Sequence, residues 1–180
     1  MASHAAFLRG VNLGSKRRAG AADLRSSFEG MGFQDVATFR TSGNVVFDAG
    51  REARDKLTAR IETGLEESLG YDVQIFLRTA GELRAIADAE PFQRNLVEAS
   101  KGKLQVSLLS DKPSAKTRKE VLALATDEDR LAFGDRELYW LPSGGTRDAA
   151  LDQKSIAKLL GPTTMRTKGT IELLTAKFFD

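Results

Sequence analysis

Apolar positions along this chain recur with two periods, and the order in which one replaces the other sketches a fold. Residues 5–11 form a short apolar run of strand length. Leu24, Phe28 and Met31 then recur at helical spacing, with Gly32 placed to end that helix. Residues 36–39 and 44–47 read as two strands joined across Ser42-Gly43, a turn-forming pair. Leu57, Ile61, Leu65 and Leu69 lie four apart on one helical stripe that Gly70 closes. Val73, Ile75 and Leu77 alternate as a strand does. This half spells βαββαβ.

Residues 79–101 read as a connector. Thr79 and Glu82 have capping-box spacing, Leu83 and Ile86 share the inner face of a helix, and Pro91 stops it. The plan then repeats. Leu104, Val106 and Leu108 alternate with polar residues, and residues 114–126 are helical. Residues 131–133 and 138–141 flank Gly134-Asp135, a two-residue hairpin signal. A helix over 151–160 ends at Gly161-Pro162, residues 163–167 form a strand, and a helix spans 171–178. Two such units in tandem predict an α/β (α+β) protein: a duplicated ferredoxin-like plan with antiparallel sheets and a C-terminal helix. The expected division is 1–78 and 102–180, with the connector between.

Composition narrows the function classes. Hydrophobic residues at 41% and charged residues at 29% argue for a packed core and against disorder. Apolar runs reach only a few residues, so no membrane span is expected. Met1-Ala2-Ser3-His4 lacks the charge and apolar stretch of a secretion signal. With no cysteine there is no disulfide, thiolate metal site or cysteine nucleophile, and a reducing cytoplasm is the natural setting.

A net charge of +2 is too small to make the whole molecule a polyanion binder, so local charge matters more. Arg9, Lys16, Arg17 and Arg18 fall in a stretch of 22 residues without an acid, in a loop that also carries Gly10, Asn12 and Gly14. Glycines let a loop turn its amides inward, and the helix that follows adds positive potential, so residues 9–18 read either as a cradle for phosphate or carboxylate or as a solvated turn whose glycines satisfy geometry. The loop is not a P-loop: three residues rather than four separate the glycines, and Lys16 precedes Arg17 rather than a hydroxyl residue. Ser42 and Asn44 bracket a tight turn and are candidates to face the same ligand, although turn chemistry alone accounts for them. Lys112, Lys116, Arg118 and Lys119 form a second basic cluster, diluted by Asp111 and Glu120.

Other chemistries are thin. His4 stands near a terminus open to fraying, and as the single histidine it leaves serine-histidine triads ruled out unless a lysine serves instead. Asp127-Glu128-Asp129 lacks the spacing of an oxygen cage and reads as solvent-facing charge, so no metal and no cofactor are expected. Base stacking on the sheet needs exposed aromatics, whereas Phe7 and Phe47 read as core. Tyr139 and Trp140 point to opposite sides of a strand, one inward and one outward beside Ser143-Gly144-Gly145-Thr146-Arg147, a possible planar-ligand or partner surface.

Several strings in this order resemble the uncharacterised bacterial family known as domain of unknown function 1697. They are Phe7-Leu8-Arg9-Gly10-Val11-Asn12-Leu13-Gly14-Ser15-Lys16, residues 24–33, Thr41-Ser42-Gly43-Asn44-Val45-Val46-Phe47, and Pro91-Phe92. The resemblance implies the duplicated architecture and no established activity. It weakens towards the C-terminus: Thr164-Met165-Arg166 is kept, but Thr167-Lys168 follows where relatives carry Asn-Trp.

Three functions compete. The first is a domain binding a phosphate-bearing metabolite or a nucleic-acid backbone through residues 9–18. The second is a small-molecule enzyme with Asn12, Ser42, Asn44 and Arg166 in a cleft between the halves. The third is an interaction module built on the hairpin around Trp140.

Overall fold

The computed structural model describes residues 1–11, 17–40 and 43–180. It is a mixed α+β fold with two four-stranded antiparallel sheets and, among the described residues, seven helices. The chain forms two units, Met1–Arg84 with Leu174–Asp180, and Ala85–Leu173.

In the first unit the elements run β1 (His4–Arg9), α1 (Ala21–Gly30), β2 (Gln34–Thr38), β3 (Asn44–Asp48), α2 (Arg54–Leu69) and β4 (Gln74–Thr79). The sheet order is β2-β3-β1-β4, so β1 and β3 are central. Strand alternation sends Ala6, Leu8, Val45, Phe47, Ile75 and Leu77 to one face, where Leu24 and Phe28 of α1 and Leu57, Ile61 and Leu65 of α2 cover them. Phe28 and Phe33 meet Phe47 at ring-centroid distances of 5.1 and 4.8 Å, tilted as aromatic pairs prefer. Gly70 ends α2 in the left-handed region, with its amide donating to the Glu66 carbonyl. The opposite sheet face is buried as well, at Ala5, Phe7, Val46, Phe76 and Arg78.

The chain passes to the second unit along α3 (Ala80–Asp88), whose start is the expected capping box. The Thr79 amide donates to Glu82 Oε2 at 2.9 Å, and the Glu82 amide donates to Thr79 Oγ1 at 3.2 Å. A short α4 (Arg94–Ala99) follows Pro91, where the sequence pattern shows only a connector. The second unit then runs β5 (Gln105–Leu108), α5 (Ala115–Leu122), β6 (Asp129–Phe133), β7 (Glu137–Pro142), α6 (Gln153–Leu160) and β8 (Thr164–Thr167), in sheet order β6-β7-β5-β8. Ser114 and Asp152 cap α5 and α6 by accepting from the amides of Thr117 and Ser155. The chain returns to the first unit along α7 (Lys168–Phe178).

The pairing register repeats between the sheets. His4 lies opposite Phe47 and Thr79, as Gln105 lies opposite Trp140 and Thr167. Aligned on this register, Arg78-Thr79-Ala80-Gly81 matches Arg166-Thr167-Lys168-Gly169, and each threonine hydroxyl accepts an amide three residues on.

Four expectations change. Tyr139 and Trp140 are both buried, at 3% and 2% exposure, because both faces of the second sheet are covered at β7. Asp129 is no solvent dressing: it is 2% exposed and accepts the Trp140 indole N–H at 2.9 Å. His4 does not fray, being paired within β1 and stacked on Phe47 with ring centroids 5.9 Å apart. The second hairpin turns on Asp135-Arg136, one residue later than expected, because the Gly134 amide donates to the Glu137 carbonyl at 2.9 Å.

Candidate anion site

The loop after β1 and the turn before β3 pack against each other. The Leu8 amide donates to the Gly43 carbonyl at 2.8 Å. Gly43 sits at φ +74°, and a Cβ there would lie 2.8 Å from Val11 Cγ2 and 3.1 Å from Leu8 Cβ. Only glycine meets both demands, of conformation and of space. Asn44 is 1% exposed, and its Nδ2 donates to the Phe39 carbonyl at 2.9 Å while the Phe39 amide donates to the Asn44 carbonyl at 3.0 Å. That side chain therefore closes the hairpin.

Beside this junction lies a cavity of about 310 Å³. Its walls are the start of α1 at Ala19, Gly20, Ala21 and Leu24, the end of β2 at Thr38, then Arg40, Gly43 and Asn44. The first amides of a helix have no intrahelical acceptor and carry its positive pole. Asp23 Oδ2 takes the Gly20 amide at 3.1 Å, which leaves those of Ala21 and Ala22 at the head of the helix. Arg40 adds a cation from the other side, in the left-handed region at φ +58°. A non-glycine residue costs about 1–2 kcal/mol there.

The expected loop cations divide. Arg9 and Arg18 are exposed. Gly10 adopts φ +80°, and a Cβ on it would lie 3.4 Å from Arg17 Nη1. Arg17 is engaged elsewhere: Nη2 lies 3.0 Å from Asp72 Oδ1, Nη1 donates to the Asp72 carbonyl at 3.3 Å, and the guanidinium stands 5.3 Å from the Tyr71 ring centroid. Burial raises the Tyr71 phenol above its ordinary pKa, with Arg17 opposing. Asn12, Gly14, Lys16 and Ser42 lie outside the described residues.

Residues 1–139 match the family described as Protein of unknown function (DUF1697). The chain belongs to that family. The DUF1697 match covers both strings that meet at Gly43 and stops before the C-terminal departures at Thr167-Lys168. Among solved structures, the chain is similar to conserved bacterial protein SP0830 from Streptococcus pneumoniae, with a TM-score of 0.71, 18% identity and 97% of each chain covered. That likeness is one of fold. No curated protein matches the chain.

Arg40 is the residue of this DUF1697 site that sequence reading passes over. Its signal is slight: one arginine between a strand and a turn, with no periodicity to mark it. In the second unit, Arg166 lies on edge strand β8, where Nη1 donates to Thr164 Oγ1 at 2.8 Å and to the Met165 carbonyl at 2.9 Å. Burial brings its guanidinium down to about 10. The basic cluster there is largely paired: Lys112 with Asp135 at 3.5 Å, Lys116 with Glu120 at 4.0 Å, and Arg118 with the Asp135 carbonyl at 2.8 Å. Gly144 packs on Gly102, where a Cβ would lie 2.3 Å from the Gly144 carbonyl, so this glycine loop has a packing role. No group of acids and histidines fit to hold a metal occurs among the described residues, and no helix there is long and apolar enough to cross a membrane.

Proposed function

We propose that this DUF1697 member is a cytoplasmic anion-binding domain whose ligand is a phosphate-bearing metabolite or a nucleic-acid backbone. The observation that carries the reading is the cavity of about 310 Å³ that joins the head of α1 to Arg40 and Gly43. It lies beside the packing of Leu8 and Val11 on Gly43, so the amides at the head of α1 and the Arg40 guanidinium act on one volume. Arg9, Gly10, Asn12, Gly14, Lys16, Arg18 and Ser42 remain candidate ligand-binding residues in this reading. Arg17 braces the loop against Asp72, and Asn44 holds the hairpin that presents Arg40.

The scaffold is, in this reading, a tandem duplication of a ferredoxin-like βαββαβ unit. The repeated strand order and the matched Arg-Thr-x-Gly strings support it.

Calorimetric titration of the full chain with inorganic phosphate, adenosine monophosphate and a short single-stranded oligonucleotide tests the binding. Affinity is expected to fall with salt, more steeply for the polyanion. Arg40→Ala, and Lys16, Arg17 and Arg18 changed together to alanine, should each weaken it by about tenfold or more. Absence of binding to all three, or unchanged binding by both variants, overturns the reading.

A further inference from the structure

The matched register allows the two helical layers to be compared position by position. Trp140 takes the place of Phe47, Ser107 that of Ala6, and Met165 that of Leu77. In the first unit the matching positions are covered. Helix α2 has 16 residues and so runs about 24 Å along the sheet. Phe28 and Phe33 close over Phe47, and Leu77 is only 4% exposed.

In the second unit α6 has 8 residues, about 12 Å, half the length of α2. Met165 is left 37% exposed. A cavity of about 270 Å³ remains between sheet and helix, floored by Ser107, Trp140 and Met165 and roofed by Leu151, Ile156 and Leu160. It belongs to the second unit alone and shares no residue with the anion site.

We propose that this cavity binds a small apolar molecule of one or two rings. Its walls are mainly hydrocarbon and indole, with Ser107, Gln153 and Thr163 as the polar residues that a polar substituent would meet. A dry apolar cavity of about 150 Å³ already accepts benzene, and this one is larger. A peptide helix, about 10 Å across, does not fit between the layers. The ligand is therefore a small molecule rather than a protein segment.

Trp140 is the only tryptophan of the chain and forms the floor, so its fluorescence reports occupancy directly. Iodobenzene, a heavy-atom quencher, should quench it saturably and raise the melting temperature as its concentration rises. Ser107→Leu fills the floor and should weaken this quenching by about tenfold or more while keeping the circular dichroism of the native chain. Should that variant fail to fold, Ala157→Phe narrows the cavity from the helix side, with the same outcome expected. Quenching that grows linearly without saturation, or saturable quenching unchanged in the folded filled variants, overturns the proposal. Phosphate binding is read separately, so failure here is distinguishable from failure of the anion site.

Discussion

The indole N–H of Trp140 donates to Asp129 Oδ1 at 2.9 Å, and both residues are almost wholly buried. Asp129 begins β6 and its amide is held by Thr126 Oγ1 at 3.0 Å, so the carboxylate is positioned by its own turn. Asp129→Ala leaves the indole donor buried without an acceptor, which costs about 1–3 kcal/mol. A lower urea midpoint with an unchanged slope is the expected result, and Asp129→Asn, which keeps an acceptor, should lose less.

Gly43→Ala meets two obstacles at once, a left-handed φ and contact with Val11 and Leu8. A loss of about 1–3 kcal/mol follows from the conformation and the clash together. Differential scanning calorimetry of the two chains checks it; an unchanged melting temperature would mean that the junction of the two loops yields easily.

Arg40 combines backbone strain with its place in the cavity wall. Arg40→Gly removes a conformational cost of about 1 kcal/mol or more. It also gives up the contact of the guanidinium with the Phe39 ring, 5.5 Å from the centroid, a loss of about 0.5 kcal/mol at an exposed site. This variant should melt higher yet bind phosphate more weakly, the trade expected when a strained residue is kept for function.

Asp23 competes with any anion for the head of α1 because its carboxylate already takes the Gly20 amide. Asp23→Asn keeps an acceptor while removing the charge. Phosphate affinity should rise by about two- to fivefold, with the gain fading at high salt. Equal affinity in both chains would place the anion away from α1.

His4 is held below its ordinary pKa of 6.5 by burial, against the opposing pull of Asp48 and Glu82. The folded chain therefore binds a proton at this site less readily than the unfolded chain. Its contribution to stability is complete above pH 6.5 and is lost as pH falls through the lower folded value. His4→Gln should flatten the decline of melting temperature below pH 6.5 without changing that above it.

How much of this the sequence carries depends on which force sets each feature. Long amphipathic stripes such as Leu57-Ile61-Leu65 and the alternation at Val106 and Leu108 reflect burial, which periodicity reports, and these elements stand where expected. The capping box at Thr79 is local chemistry and equally legible. Helix α4 is not, since Arg94-Asn95-Leu96-Val97-Glu98-Ala99 buries no residue fully and so carries no stripe. Tyr139 and Trp140 mislead because alternation predicts one covered face, whereas the second sheet is buried on both sides at β7. At the candidate site, the glycine loop and the turn are visible as strings, but their meeting at Leu8 and Gly43 depends on β1 pairing with β3. Arg40 gains significance only from that tertiary arrangement.

The assignment of Leu174–Asp180 to the first unit has a consequence for how the chain is made. Synthesis delivers residues 1–84 first, but the segment that completes their unit leaves the ribosome only after all of residues 85–173. The second unit is contiguous in sequence, whereas the first gains the hydrogen bond from Arg84 to the Phe179 carbonyl only once residues 174–180 have been added.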